Sequence, residues 1–555
     1  MSSTSQLSTD RLRAYHARTK HRFEAFAEGP GQIDWDTQPA AFRHYVGAPV
    51  LQLPLAGERF ERPFGQLEIS PKIEIAPDLT SLGTLLELSF GLSAWKSWGP
   101  SRWALRCNPS SGNLHPVEAY VLAAGLAGVP DGLHHYDPEQ HALEGRALPP
   151  PIDQRWLVVG LSNAMWREAW KYGERAFRYC QLDVGHAVGA LAYAAALLGW
   201  RVEPLKIAGG ELAHVLGLDR GDDFPSGRSA FTEAEEAEIL LVIHAPGLSQ
   251  VPPDLVGWLD AATWHGQPSC IDPAPVYRWP IIAHAAEASR PNPEIDARSL
   301  FVQARNFPAG LPALPPHPTL TGAAELIRQR RSGQRFDPKF TLDKAAFYRM
   351  LDATLPRIQA PFTGQEAAPA IALLLFVLRV DGLPPGLYLL PRTPTATAEL
   401  PALLGAADDR FAGRCAVAEV DPDCPVHLNL TLLAALEMQA LQRLARSLAC
   451  HQDIASTSAF SLGMLADFDR LDVAYAYRTL LREAGLIGQA LYLEAEAAGV
   501  RGTGIGCFFD DPVHQSFGLA GERWQSVYHF TIGTPNVDNR IETGPPYPQR
   551  QTQSP

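Results

Sequence analysis

Four short stretches combine residue types and spacings that can do chemistry. Pro109-Ser110-Ser111-Gly112-Asn113 is a turn of small hydroxyl residues. Its backbone N–H groups and Asn amide can approach a flat polar heterocycle closely, although an ordinary Pro-Ser-Gly turn has the same composition. Arg330-Arg331-Ser332-Gly333-Gln334-Arg335 places guanidiniums and a hydroxyl at a helix end. That is a phosphate clasp or a solvated basic terminus that suits the helix dipole. Gly502-Thr503-Gly504-Ile505-Gly506-Cys507 follows a helix rather than a strand, so it is not a dinucleotide fingerprint. Its glycines either let backbone N–H groups face a ligand ring or simply end the helix. Lys171-Tyr172 is a pair suited to proton transfer if burial lowers a pKa, or a solvated Lys beside a half-buried Tyr.

The elements that would position these stretches can be read from the pattern. Leu79, Leu82, Leu85 and Leu86 predict a helix, Ala119–Ala124 a strand, and 131–138 a turn plus strand. A long helix over Arg175–Leu198 is closed by Gly199. Further on, helices are predicted at 320–331, 342–354, 429–450 and 475–498, and strands at 370–380, 385–391 and 527–533. Residues 391–425 read as loop, and the N-terminal lead has helical character near Leu12–Glu28.

The halves repeat. RAFRYCQLDVGHAVGALAYAAALLGWR (175–201) parallels YAYRTLLREAGLIGQALYLEAEAAGVR (475–501). Arg178/Arg478, Gly185/Gly485, Gly199/Gly499 and Arg201/Arg501 are each 300 positions apart, and HVLGL (214–218) matches HQSFGL (514–519). Matched turns around four anchors at one offset indicate two copies of one domain in tandem.

Bulk properties bound the function. The chain has 555 residues, 46% hydrophobic and 19% charged, and a net charge of −13. This is a globular balance for two or more domains and not that of a general nucleic-acid binder. No uninterrupted apolar run reaches the length of a bilayer span, and Met1–Asp10 lacks a signal-peptide core; a cytoplasmic protein is expected. The seven cysteines show no CxxC pair, which argues against a disulfide framework or zinc knuckle. His134-His135 and DPDCPVH (421–427) complete no ligand set, so no metal is expected. His115 and His186 are read as core or helix-surface histidines and Glu174-Arg175 as a structural ion pair.

In their order, the serine turn, the arginine segment and the glycine segment resemble the nitroreductase superfamily. WKYGERAFRYCQLDVGHAVGALAYAAALLG (170–199), RCNPSSGNLHPVEAYV (106–121) and GIGCFFDDPVHQSFGL (504–519) resemble more narrowly its SagB-type, azoline-oxidising dehydrogenases. The resemblance implies an α+β fold of two fused nitroreductase-like domains forming an intramolecular pseudo-dimer. The expected organisation is a wrapping segment (1–70), domain 1 (71–250), a Pro-rich linker (251–318), domain 2 (319–545) and a loose tail (546–555).

It implies FMN as cofactor. Pro109, Ser110, Ser111, Gly112 and Asn113 would contact the ring, and Gly504, Gly506 and Cys507 would supply donors near N5. Arg330, Arg331, Ser332, Gln334, Arg335 and Arg540 would lie around the phosphate. Gln334 stands where the family often has a basic residue, with Arg335 next. Lys171 and Tyr172 would be catalytic; the second copy has Leu471-Asp472 there.

In this family two subunits share each flavin. Here the first copy has the serine turn but SPKIEIAPDL (70–79) in place of an arginine-serine segment. The second has the arginines, no PSSxN, and 35 rather than 46 residues between the helix leucine and the Gly-Leu turn. One FMN per chain is expected.

The implied activity is dehydrogenation of an azoline-like or other amino-acid- or peptide-derived substrate, with O2 as acceptor. Two alternatives stay open: an NAD(P)H-dependent nitro, quinone or flavin reductase, and a non-catalytic subunit of a peptide-modifying assembly. Partners would be a small-molecule or peptide substrate and peptide-modifying enzymes, with no nucleic acid and no membrane.

Overall fold

A computed structural model describes residues 3–67, 75–226, 230–273, 275, 278–292, 311–405 and 409–551. Parts of the 70–79 stretch, of the Pro-rich 251–318 segment and of the C-terminal tail fall outside these residues.

The chain is α+β and built in two halves of one pattern. The helices used below are α1 (Ser3–Arg18), α2 (Leu79–Ser89), α3 (Trp166–Tyr172), α4 (Ala176–Leu198), α5 (Pro280–Ala288), α6 (Ala323–Gln329), α7 (Met438–Leu448) and α8 (Ala476–Ala497). First-half strands are β1 (Leu92–Trp98), β2 (Ser101–Arg106), β3 (Val117–Ala124), β4 (Gly132–Asp137), β5 (Ala142–Leu148), β6 (Trp156–Asn163), β7 (Arg201–Leu205) and β8 (Glu236–His244). Second-half strands are β9 (Ile371–Val377), β10 (Gly386–Leu390), β11 (Thr431–Ala435), β12 (Phe460–Asp467), β13 (Arg501–Ile505), β14 (Trp524–Gly533) and β15 (Glu542–Gly544). The first sheet runs β5-β4-β3-β6-β8-β7 and the second β11-β10-β9-β12-β14-β13; two further short strands pair with β5 in the first sheet and one with β11 in the second. The two orders correspond strand for strand, and all these pairings are antiparallel. The central strands β3, β6, β9 and β12 are buried along their whole length, as their apolar runs require when both faces are covered.

The long helices α4 and α8 cross at the centre. A Cβ on Gly185 would lie 2.2 Å from the Arg482 carbonyl oxygen, and one on Gly485 would lie 2.2 Å from that of Leu182. The repeated glycines are therefore the contact point that lets the backbones touch. Ion pairs also cross between halves: Arg178 and Arg175 of the first half reach Asp510 of the second at 2.8 and 3.0 Å. Arg478 of the second reaches Glu236 of the first at 2.7 Å, and Glu238 as well.

The ends of the chain also cross between halves. Tyr15 of α1 packs edge-on against Phe177 and Tyr477. β15 pairs with β1, so a segment close to the C-terminus joins the first-half β1–β2 hairpin. The tail read as loose is held at Tyr547, which is buried; its hydroxyl donates to the Pro138 carbonyl at 3.0 Å and accepts from the Leu92 N–H at 2.8 Å.

Other readings need correction. Residues 431–435 are a strand and 394–403 a helix; tertiary pairing overrides the helical look of the Leu/Ala run. The N-terminal helix ends at Arg18, ahead of the expected Glu28. The stretch Trp166–Leu198 holds an 18-residue window long and apolar enough by composition to cross a membrane, and 94% of that window is buried in the fold. Its apolarity is that of a core helix.

The crossing gives a first prediction. Gly185→Val should lower stability by about 3 kcal/mol, read as a lower urea midpoint. Gly210→Ala, where an added Cβ meets nothing within 4 Å, should leave the midpoint unchanged or higher. Equal midpoints for the two variants would refute the close crossing.

Candidate functional site

The serine turn is held in a conformation that only tertiary contacts can maintain. Gly112, Asn113 and His115 all have positive φ (59°, 60° and 53°), costly for the two non-glycine residues. The Asn113 amide donates to the Ala104 carbonyl of β2 (2.9 Å), and the His115 N–H donates to Ser110 Oγ (2.8 Å). Ser111 donates through its N–H and hydroxyl to Asp183 of α4, at 3.1 and 2.9 Å. Burial pushes the Asp183 carboxyl up to about 7, against the opposing pull of Ser110 and Ser111.

Helix α3 brings Lys171 and Tyr172 against this turn. Arg167 fastens the helix by donating to the His115 carbonyl (2.7 Å) and pairing with Glu118. Gly173, at φ 54°, ends it. A Cβ on Gly112 would lie 2.5 Å from the Tyr172 hydroxyl and 3.0 Å from Lys171 Nζ. Burial lowers the Lys171 pKa and raises that of Tyr172 well above its ordinary value. Below them Glu168 is fully buried, and neither carboxyl oxygen has a hydrogen-bond partner among the described residues. Burial, reinforced by Asp183, keeps it protonated well beyond the usual carboxylate range.

The glycine segment is a strand over Gly502–Ile505, part of β13 at the edge of the second sheet, and Gly506 and Cys507 follow it. A Cβ on Gly504 would lie 1.8 Å from the Tyr528 hydroxyl, and one on Gly506 1.8 Å from the Tyr179 ring. The arginine segment is laced to it: Gly333 N–H donates to the Gly502 carbonyl (3.1 Å) and the Thr503 hydroxyl to the Gly333 carbonyl (2.6 Å). Tyr492 shares a hydrogen bond with Ser332 (2.9 Å) and accepts one from Gly504 N–H (3.0 Å).

These pieces close around one cavity of about 470 Å³, within the roughly 300–1,000 Å³ of small-molecule sites. Its wall includes Pro109 to Asn113 from the first half, Arg330 to Gln334 and Gly504 to Cys507 from the second, and Tyr172. Arg330 bridges the halves, donating to the Arg106 and Cys107 carbonyls that lead into the serine turn. The C-terminal strap adds Pro535–Asp538, Ile541 and Thr543.

Three expected residues stand apart: Lys171, whose Nζ lies behind Gly112 and over the Trp35 and Tyr172 rings rather than in the cavity wall, and two arginines. Arg335 does not line the cavity, and Arg540 turns outward, 71% exposed, to pair with Asp538 at 2.6 Å. The places of the two arginines are taken by Lys96 of the β1–β2 hairpin and Arg501, which sequence reasoning missed in this role. Arg501 had been marked only as a repeat anchor, and nothing local marks Lys96. Glu174 and Arg175 do not pair with each other: Glu174 binds Arg18 and Arg175 binds Asp510. His115 and His186 are buried and line the cavity, and the Nδ1 of each lacks a partner among the described residues.

The electrostatics suit an anion. Lys96, Arg330, Arg331 and Arg501 gather at the cavity with Glu496 as the acid beside them, 3.9 Å from Arg501. Burial, with Arg330 adding to it, lowers Arg331 to about 10. Lys96 is lowered by burial and by Arg331 and Arg501. Such crowding costs energy unless a negative group is bound.

At the pseudo-symmetric position the cavity has shrunk to about 10 Å³. Thr479, Glu483 and Leu486 stand there where Tyr179, Asp183 and His186 stand in the open site, 300 positions earlier. Glu483 accepts from Ala370 N–H (2.8 Å) and from Arg392 (2.7 Å). The 3-10 turn Phe362–Gly364 packs Gly364 against Val188. Val202 and Pro204 occupy the places of Gly502 and Gly504.

No protein-family model matches the chain. The fold is that of a nitroreductase: a crystal structure of a nitroreductase from Anabaena variabilis aligns over 95% of this chain and 99% of its own, with TM-score 0.60 and 19% identity. A nitroreductase-type protein of Methanocaldococcus jannaschii is 29% identical over 130 residues, 21% of this chain. The trifolitoxin-processing protein TfxF of Rhizobium leguminosarum bv. trifolii is 25% identical over 180 residues, 32% of this chain. The chain spans 65% and 64% of the length of these two relatives.

Asp183 gives the second prediction. Its carboxyl binds a proton more tightly in the folded state, so its contribution to stability is fully present in acid and is lost as pH rises towards 7. Between pH 4 and 7 the wild type should lose stability relative to Asp183→Asn, measured by urea unfolding at each pH. Parallel pH curves for the two proteins would contradict the assignment.

Proposed function

We propose that this chain is an FMN-dependent oxidoreductase that dehydrogenates an azoline-like or other amino-acid- or peptide-derived substrate. The observation that carries this reading is the single cavity shared by the serine turn, the arginine segment and the glycine strand. The residues fit the mononucleotide. Lys96, Arg330, Arg331 and Arg501 would hold its phosphate, with Ser332 beside them. Gly504 and Gly506 leave room where any side chain would strike Tyr528 or Tyr179, and the Pro109–Asn113 turn presents polar main chain to a ring edge. The relatedness to a trifolitoxin-processing protein supports a substrate derived from a peptide.

When bound, the flavin supplies a two-electron acceptor for hydride. The chain's part is the proton. Lys171, with its pKa lowered by burial, is the base that takes a proton from the substrate carbon or nitrogen. Tyr172, which keeps its own proton, orients the substrate as a hydrogen-bond donor. Gly112 lets both approach the turn.

Two outcomes are expected. The purified protein should carry one FMN per chain by absorbance and released-flavin assay, and Arg331→Ala should weaken retention at least tenfold. Two flavins, or none after reconstitution, would refute the one-site reading. Lys171→Ala should keep the flavin and lose about 10²–10⁴-fold in turnover. Efficient bleaching of the flavin by NAD(P)H would replace the dehydrogenase with a reductase.

A further inference from the structure

The cavity wall carries a pair of thiols that the proposed reaction does not use. Cys507 follows the glycine strand and lines the cavity. Cys450 follows α7, far away in sequence. Two hydrogen bonds brace the segments together: Phe509 N–H to the Leu448 carbonyl (2.9 Å) and Gln452 Nε2 to the Cys507 carbonyl (3.1 Å). Cys450 lies between the braced residues Leu448 and Gln452, which sets it beside Cys507; both thiols are free, and each shifts the ionisation of the other.

The backbone there is unusual. Cys450 and His451 both have positive φ, 50° and 61°. A helix commonly ends with glycine in this conformation, whereas here a cysteine occupies it, in the segment braced to Cys507.

The surroundings favour a thiolate on Cys507. Cys450, then His21 and Arg175, act against burial and bring Cys507 down to about 5, while Cys450 is raised. An acidic thiol beside a resolving thiol is the arrangement of a disulfide-exchanging pair. The exposed Cys270 differs: burial and its bond to Glu233 raise it.

We propose that Cys450 and Cys507 are a redox-active dithiol that exchanges with small aliphatic disulfides at the cavity wall. The Cys507 thiolate attacks one sulfur of the external disulfide, forming a mixed disulfide and expelling one thiolate. Cys450 then attacks the Cys507 sulfur, its proton passing to the second departing thiolate. The protein is left with a Cys450–Cys507 bond; two protein thiols are oxidised and one external disulfide is reduced to two thiols. The cross-link would tie the end of the glycine strand to the α7 loop, so the mouth beside Cys507 would follow the thiol redox state. None of this depends on what occupies the cavity.

The test uses the full-length protein, with and without added FMN, treated with oxidised glutathione at pH 7. Two glutathiones should be released per chain, and mass spectrometry without reduction should find the Cys450 and Cys507 peptides joined. Cys450→Ser and Cys450→Ala should stop at glutathione on Cys507 with one thiol released. Cys507→Ser should leave position 450 unmodified. Cys507 should react about tenfold faster than Cys270 in the same chain. The proposal is overturned if the wild type stops at a mixed disulfide, or if Cys270 reacts first. It also fails if Cys507→Ser is modified at Cys450 as fast as the wild type is at Cys507.

Discussion

The contact between Gly185 and Gly485 sets the geometry of everything else. With no side chain at either position, α4 and α8 meet backbone to backbone, and each helix projects its arginine into the opposite half. Arg178 meets Asp510 and Arg478 meets Glu236 and Glu238, all buried. Pairs of this kind add little net stability over apolar packing, but losing one partner is costly. Their effect is register: the halves dock in one orientation, and only there do Arg330 and the Arg106–Cys107 carbonyls meet.

From that docking the two pseudo-equivalent positions diverge. In one, Asp183 grips a turn with room above it; in the other, Glu483 grips Ala370 and Arg392 with little space left. The same helical position carries an acid in both, so the holding interaction is common. What differs is the volume around it. The β1–β2 hairpin belongs to the first half, and glycine in β13 is matched by Val202 and Pro204 in β7.

Much of this was legible in the sequence. The repeat offset located the crossing glycines and the plan of two copies, and the family resemblance implied their α+β form. Ser111, Arg331 and Gly504 were marked by type and order, and they meet in one cavity. What stayed hidden depends on pairing at long range. Lys96 becomes a cavity cation because β15 and β2 flank β1, and no local pattern reports that. Asp183 was overlooked as one acid in an apolar helix, although its repeat partner Glu483 was the available signal. Arg540 was chosen by position in the chain, but its short-range partner Asp538 captures it. The glycine stretch looked like a helix-ending loop because glycine is poor in strands; its pairing with Trp524–Gly533 decides otherwise.

Joining the two walls of the cavity in one polypeptide also changes how the site responds to concentration. A cavity built between separate subunits disassembles on dilution, since its second half arrives by a bimolecular step. Here that step is intramolecular and set by an effective local concentration. Closure of the cavity should therefore be independent of protein concentration down to the dilutions at which two-subunit sites fall apart.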